Sequence, residues 1–266
     1  MDAGLAEARA RFGPRLEAAF AIGSLAHGGF APAASDVDLA LILTALDAND
    51  AARVRDIGEG VRGALSTPLA NRLSIFWSTW DSLERGRGEG RFPLADRQDF
   101  AQSGALLFGQ DERARIALPA GEEMRRALIV EGAQFMVDKL MTPERDERLR
   151  HPAALIALGC REVTKAVLFP ARFLYTAATG RAAGNEEAVS LMAGTSDGPA
   201  ETLVRAAFDW RVSGQLGQDA EPLLAAGLLP LYVGLAEVYG EALTGFGETL
   251  LATRMSEWPT RLASDA

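Results

Sequence analysis

The chain has 266 residues, of which 48% are hydrophobic and 24% charged, and its net charge is −9. That length suits one large domain or two ordinary ones, and the apolar content predicts a soluble globular fold. The negative charge argues against a protein that coats DNA or RNA, because such binding needs basic patches that neutralise phosphates. The longest charge-free run near the C-terminus, Pro222 to Ala236, is shorter than the ~20 residues of a membrane span. We therefore expect neither nucleic acid nor membrane as a partner.

Cysteine and histidine usage narrows the class further. A single cysteine, Cys160, excludes an internal disulfide, and the two histidines, His27 and His151, do not form a zinc motif. We expect the protein to reside in a reducing cytoplasm.

Helix and strand signals alternate over the first 110 residues. Helices are predicted near Ala3–Phe12 and Ala51–Leu65, and apolar strands at Leu16–Ile22, Val37–Leu43 and Asn71–Ser78. A Gly/Arg/Glu-rich segment, Glu84 to Arg91, predicts a mobile surface loop.

From Leu118 onward only helical periodicity is present. Helices are predicted near Glu122–Met141, Pro152–Thr179, Glu186–Met192, Pro199–Val212 and Pro230–Met255. The fold class predicted is α/β (α+β), with a small mixed-sheet domain over residues 1–115 and an all-α helical-bundle domain over residues 116–266.

The stretch GSLAHGGFAPAASDVDLALIL, Gly23 to Leu43, carries the clearest chemical signal. Residues two apart in a strand project to the same side, so the carboxylates of Asp36 and Asp38 would lie together. Paired carboxylates favour a cation, and Mg²⁺ prefers such hard oxygen ligands. The Gly23-Ser24 turn offers backbone N–H groups and a hydroxyl, which commonly hold phosphate oxygens. Taken alone, the Gly-Ser pair is equally typical of an ordinary turn, and Asp-x-Asp is equally typical of a solvated strand end.

Together these features resemble the DNA polymerase β-like nucleotidyltransferase superfamily, whose signature is Gly-Ser, a short glycine-containing helix, and Asp-x-Asp on the next strand. The matching residues here are Gly23, Ser24, Gly28, Gly29, Ser35, Asp36, Asp38 and Leu39. The resemblance implies that Asp36 and Asp38 are catalytic metal ligands and that Gly23, Ser24 and Ser35 bind a nucleotide.

A second segment, RFLYTAATG from Arg172 to Gly180, resembles a helix end in the streptomycin- and spectinomycin-modifying aminoglycoside adenylyltransferases. In that family this helix faces the nucleotide and the acceptor. The resemblance implies that Arg172, Tyr175 and Lys165 bind the nucleotide. It also implies that the acceptor is cationic and that the protein acts in antibiotic resistance.

Helical geometry places Glu162, Lys165 and Arg172 on one stripe, which supports a functional face. Arginine can grip phosphate through two hydrogen bonds at once. A salt-bridged exposed face, with Glu162 and Lys165 as an ordinary i,i+3 pair, explains the same pattern. Both interpretations stay open.

One position departs from the superfamily pattern. Its members usually carry a third carboxylate on a later strand, which completes the metal site and often deprotonates the acceptor. Here the aligned residue is Ser74, whose hydroxyl cannot replace a carboxylate as ligand or base. Glu131 or Glu162 in the helical domain could supply a base instead.

Two hypotheses follow. The first is a Mg²⁺-dependent enzyme that moves a nucleoside monophosphate, AMP from ATP in the first instance, to a hydroxyl of a small molecule such as an aminoglycoside. The second is a nucleotide-binding protein that has lost turnover and acts as a sensor or partner. Asp36 and Asp38 favour the first hypothesis, and Ser74 favours the second.

Overall fold

The computed structural model describes residues 1–194 and 198–264. The chain divides into two compact units, Met1–Pro119 and Ala120–Ala266. The first contains a small sheet with helices, and the described part of the second is helical. The predicted α+β class is confirmed.

The first unit contains four strands and five helices. The strands are β1 (Leu16–Ile22), β2 (Val37–Leu43), β3 (Leu73–Ser78) and β4 (Ala105–Gly109). The helices are α1 (Asp2–Phe12), α2 (Ser24–His27), α3 (Asp50–Ala64), α4 (Trp80–Glu84) and α5 (Leu94–Ser103). Three single 3₁₀ turns, Gly13–Arg15, Pro68–Arg72 and Arg113–Arg115, connect them.

The strands form one mixed sheet in the order β3-β2-β1-β4. β1 runs antiparallel to both β2 and β4, whereas β2 and β3 are parallel. β2 is therefore an interior strand, which explains its unbroken apolar run after Asp38. β4 is an edge strand whose side chains are mostly exposed, and the sequence analysis did not predict it.

Helices cover both faces of this sheet. On one face, Phe12 of α1 and Ile57 of α3 pack against Leu39 and Leu41 of β2. On the other face, aromatic side chains of α4, α5 and the segment between them pack against Phe20 of β1 and Ala40 of β2. Because side chains alternate along a strand, Asp38 shares this second face with Ala40.

The second unit contains eight α-helices in its described residues. They are α6 (Gly121–Phe135), α7 (Pro143–Arg150), α8 (Pro152–Ile156), α9 (Cys160–Thr179), α10 (Asn185–Ala193), α11 (Pro199–Ser213), α12 (Ala220–Phe246) and α13 (Thr249–Ala263). A π-helical turn, Met136–Leu140, extends α6.

Two predicted helices are each divided in the structure. The span Pro152–Thr179 breaks before α9, where Gly159 adopts a φ of +94° that other residues rarely reach. The span Pro230–Met255 breaks at Gly247, a left-handed cap that ends α12. Pro230 does not start a helix, because it lies inside α12.

α12 is long and apolar enough to cross a membrane by composition, and 44% of its most apolar 18-residue window is buried in the structure. Its side chains meet those of neighbouring helices: the Tyr232 hydroxyl donates to the Ala166 carbonyl of α9 at 2.9 Å. Burial raises the pKa of Tyr232, so this hydroxyl stays a neutral donor. Packing inside the unit thus accounts for much of the apolar character of α12.

Candidate active site

The turn after β1 folds the way the Gly-Ser motif predicts. Gly23 has a φ of +63°, and its carbonyl accepts hydrogen bonds from the N–H groups of Ala26 at 2.9 Å and His27 at 3.1 Å. Ser24 is the first residue of the short helix α2. The first N–H groups of a helical turn have no partners within the helix, so the turn presents backbone donors and a hydroxyl at the end of β1.

Asp38 lies directly beside this turn. Ile22, the last residue of β1, pairs with Asp38 in the antiparallel ladder. A Cβ atom built on Gly23 would lie 2.7 Å from Oδ2 of Asp38, so a larger residue would collide with the carboxylate. The structure thus places the Asp38 carboxylate directly beside this backbone turn.

A carboxylate that the sequence analysis missed holds the turn from the other side. Oδ2 of Asp99, on α5, accepts a 2.8 Å hydrogen bond from the N–H of Gly23. Oδ1 of Asp99 accepts a 2.6 Å hydrogen bond from the hydroxyl of Ser103. Asp99 therefore fixes the position of Gly23, and the Gly23 N–H points at a protein carboxylate in this structure.

Ser35 shapes the loop that leads to the two aspartates. It is 2% exposed, its Oγ accepts a 2.9 Å hydrogen bond from the Ala31 N–H, and its own N–H donates to the Ala31 carbonyl at 2.7 Å. These contacts describe a structural role in the loop. Nucleotide binding by Ser35 stays a prediction.

Asp36 immediately precedes β2, and Asp38 is its second residue. Both are half-buried, and both interact with other groups of the protein. Their hard carboxylate oxygens fit Mg²⁺, which proteins often bind through one or two carboxylates plus substrate phosphates. Within residues 1–194 and 198–264, however, no group of three or more His, Cys, Asp or Glu side chains could hold a metal.

The position expected to carry a third carboxylate is Ser74. Asp38 and Ser74 are direct partners in the parallel ladder of β2 and β3, so Ser74 lies beside Asp38. Nη2 of Arg91 lies 3.4 Å from Oγ of Ser74, and Nη1 donates to the Ile75 carbonyl at 2.6 Å. A guanidinium therefore lies beside Ser74, the position where the resemblance implied a carboxylate.

The predicted residues of the second unit lie on α9 and α6. Nε of Arg172 donates to the Ala183 carbonyl at 2.8 Å, and its guanidinium lies 5.7 Å from the ring centre of Phe169. Among the residues that the structure describes, none forms an ion pair with Arg172. Its remaining N–H donors can serve a ligand.

The other predicted residues of this unit differ in their surroundings. Glu162 forms an ion pair with the adjacent Arg161. Lys165, Tyr175 and Glu131 are half-buried, and Lys165 and Glu131 interact with other protein groups. The structure thus confirms that Lys165, Arg172 and Tyr175 share one helix, and their binding roles stay predictions.

Comparison with known proteins gives a match among solved structures. No protein-family model matches the sequence, and no curated protein matches it. Among solved structures, spectinomycin adenyltransferase AAD(9) from Enterococcus faecialis, crystallised with ATP and spectinomycin, matches with a TM-score of 0.59. The match covers 91% of this chain and 97% of that one at 12% identity.

The chain has a nucleotidyltransferase-like fold. At 12% identity the match establishes the fold alone.

Proposed function

We propose that the protein is a Mg²⁺-dependent nucleotidyltransferase that moves a nucleoside monophosphate, AMP from ATP in the simplest case, to an oxygen of a small molecule. The observation that carries the proposal is the contact between the Asp38 carboxylate and the Gly23 turn, with Oδ2 of Asp38 2.7 Å from the position of a Gly23 Cβ. A cation site and a phosphate site then adjoin. The fold match to an adenyltransferase crystallised with ATP supports the same reaction class.

Each residue has a distinct role in this proposal. Asp36 and Asp38 would hold Mg²⁺, which when bound neutralises charge on the phosphates. The Gly23-Ser24 turn binds the triphosphate through the Ser24 hydroxyl and backbone N–H groups other than that of Gly23, which donates to Asp99. Asp99 keeps that turn in place.

In the second unit, the proposal assigns nucleotide binding to residues of α9. Arg172 donates to phosphate oxygens through its Nη atoms, and Lys165 and Tyr175 assist, as the adenylyltransferase resemblance implies. Ser35 shapes the loop before Asp36.

The resemblance favours a hydroxyl acceptor, and the matching structure holds spectinomycin. A hydroxyl needs a base, for which Glu131 and Glu162 are the candidates. A cytoplasmic location belongs to the proposal, and it agrees with the single free cysteine, Cys160.

A second candidate function is nucleotide binding without turnover, in a sensor or partner protein. The observation that favours it is Ser74, which gives the corner beside Asp38 a hydroxyl instead of a carboxylate.

Calorimetry of the full chain with ATP, GTP, CTP and UTP, each with and without Mg²⁺, tests the proposal. We expect tight binding of one nucleotide only with Mg²⁺, and loss of that binding in the double variant Asp36→Asn, Asp38→Asn with the fold intact by circular dichroism. Arg172→Gln should weaken binding, whereas Arg181→Gln, on an exposed residue beyond the same helix, should not. Unchanged binding in the double variant would disprove the site.

Pyrophosphate release then separates the two candidate functions. An enzyme releases pyrophosphate when an acceptor is added, whereas a sensor binds the nucleotide and releases none with any acceptor.

A further inference from the structure

The corner formed by Ser74 and Arg91 is built as a fixed cationic site. The backbone of Arg91 pairs with Trp77 of β3 in both directions, at 3.2 and 2.9 Å. Its guanidinium donates to the Ile75 carbonyl and lies 4.7 Å from the ring centre of Phe76. Backbone pairing, a hydrogen bond and a cation–π contact together hold the charge beside Ser74.

The loop before Arg91 passes close to the backbone of β3. Gly90 has a φ of +95°, and a Cβ built there would lie 2.4 Å from the Trp77 carbonyl oxygen. Only glycine lets the loop pass so close to β3. The position of Arg91 is therefore a consequence of the backbone and not of a flexible side chain alone.

Arg91 is an exposed residue. Across residues 1–194 and 198–264, no carboxylate forms an ion pair with Arg91, although the chain is acidic overall. A guanidinium has five donors and no acceptor, and the Ser74 hydroxyl can also donate. With Mg²⁺ bound by Asp38, the direct ladder partner of Ser74, this corner suits an anion, and neither Arg91 nor Ser74 can remove a proton from an acceptor.

The sheet order places this corner opposite the phosphate turn. β2 lies between β1 and β3, so Asp38 separates Gly23, at the end of β1, from Ser74 on β3. In phosphoryl-transfer chemistry the attacking and leaving oxygens are roughly in line across the phosphorus. If pyrophosphate leaves on the Gly23 side, the acceptor oxygen enters on the side of Ser74 and Arg91.

We infer that the acceptor attacks through an oxygen that is already ionised, a carboxylate or phosphate oxygen of a small molecule, bound by Arg91 and Ser74. The inference rests on the proposed nucleotidyl transfer and replaces its hydroxyl acceptor. An ionised oxygen needs no general base, which accounts for a serine in place of the third carboxylate. A cationic acceptor would meet the like charge of Arg91.

The step balances without a proton transfer. A lone pair of the acceptor oxygen forms a bond to the α-phosphorus of the nucleoside triphosphate. The bond from that phosphorus to the bridging oxygen breaks, and pyrophosphate leaves with the electron pair. The product is a mixed anhydride from a carboxylate, or a phosphoanhydride from a phosphate.

Ligand-observed NMR on the full chain tests anion binding directly. The probes are acetate, methyl phosphate and glycerol, each added with Mg²⁺ and a non-hydrolysable ATP analogue. We expect acetate or methyl phosphate to bind the parent, and Arg91→Gln to weaken that binding about 10- to 100-fold, the value of a charged hydrogen bond. The matched control is Arg87→Gln, in the same loop, where an exposed arginine already pairs with Glu89.

Each outcome decides the inference. Equal anion binding by the parent and Arg91→Gln, or binding of glycerol alone, would overturn it. Absence of Mg²⁺-dependent nucleotide binding in the calorimetry would instead disprove the proposed function itself. The two failures are therefore distinguishable.

Isotope transfer identifies the acceptor class. With ¹⁸O-carboxylate acceptors, AMP released from the product by hydroxylamine should contain one ¹⁸O atom, because the bridging oxygen comes from the acceptor. A phosphoanhydride product would point to the phosphate source. A stable phosphodiester would show a hydroxyl acceptor and contradict the inference.

Discussion

The N–H of Gly23 donates a 2.8 Å hydrogen bond to Oδ2 of Asp99, which lies 76 residues further along the chain. This bond connects α5 to the turn that we propose binds phosphate. The bond also occupies the Gly23 N–H, from which a phosphate oxygen could otherwise accept a hydrogen bond. Asp99 therefore acts on the nucleotide through the position of Gly23.

Asp99→Ala should therefore weaken Mg²⁺-dependent nucleotide binding about tenfold, because loss of a hydrogen bond to a charged group costs roughly 1.5 kcal/mol or more. Asp99→Asn keeps an acceptor oxygen and should restore most of the affinity. Calorimetry measures both, with Asp81→Asn as a control, since Asp81 is exposed and pairs with Arg115. Equal affinity of Asp99→Ala and the parent would show that the turn holds its shape without Asp99.

Gly23 and Gly13 form a natural pair for testing the contact with Asp38. Both have a positive φ, +63° and +52°, but a Cβ at Gly23 would lie 2.7 Å from the Asp38 carboxylate, whereas a Cβ at Gly13 would meet nothing within 4 Å. Both alanine variants should lose about 1 kcal/mol of stability through backbone strain. Only Gly23→Ala should also lose Mg²⁺-dependent nucleotide binding.

Thermal denaturation gives the stability change, and calorimetry gives the binding change. If Gly13→Ala impaired binding as much as Gly23→Ala, the effect would come from general destabilisation. The contact between Gly23 and Asp38 would then have no specific role.

Asp50 is the centre of an ion-pair cluster in the first unit. It is 2% exposed and accepts hydrogen bonds from Arg15 at 2.8 and 2.9 Å and from Arg53 at 2.8 Å. Burial opposes its ionisation, but the bonds from Arg15, the Asp47 N–H and Arg53 outweigh that effect and hold the pKa of Asp50 below its ordinary value.

A lowered pKa in the folded state stabilises the protein above the unfolded-state value of ~3.9, and this contribution is lost as the pH falls through the folded-state pKa. The melting temperature, measured from pH 7 to pH 2.5, should therefore decrease once the pH is below about 4. Asp50→Asn should cost about 1–3 kcal/mol at pH 7 and flatten the acid dependence. The control is Asp56→Asn, whose side chain is exposed on the same helix, and it should retain the acid dependence of the parent. Equal dependence of the melting temperature on pH in Asp50→Asn and the parent would contradict a lowered pKa of Asp50.

The sequence predicted the parts of the fold and site that depend on local patterns. β1 and β2 have the predicted bounds, because buried strands leave strong apolar runs. Asp99 and Arg91 were missed because their roles depend on contacts 76 and 17 residues away in sequence, which periodicity does not record. The break at Gly247 had a local signal, because a glycine in the left-handed conformation commonly ends a helix. Pro230, in contrast, lies inside α12 and does not mark a helix boundary.

Ser74→Glu separates the two accounts of the acceptor. If the acceptor is anionic, a glutamate at this corner pairs with Arg91 and repels the acceptor, so pyrophosphate release should fall about tenfold or more relative to the parent. Ser74→Ala, which removes the hydroxyl without adding charge, should cause a smaller loss. If the acceptor is instead a hydroxyl and the enzyme lacks a base, Ser74→Glu should raise turnover, because general-base assistance contributes about 10²- to 10⁴-fold. Loss of activity in Glu131→Gln or Glu162→Gln would identify a base in the second unit and contradict the anionic acceptor as well.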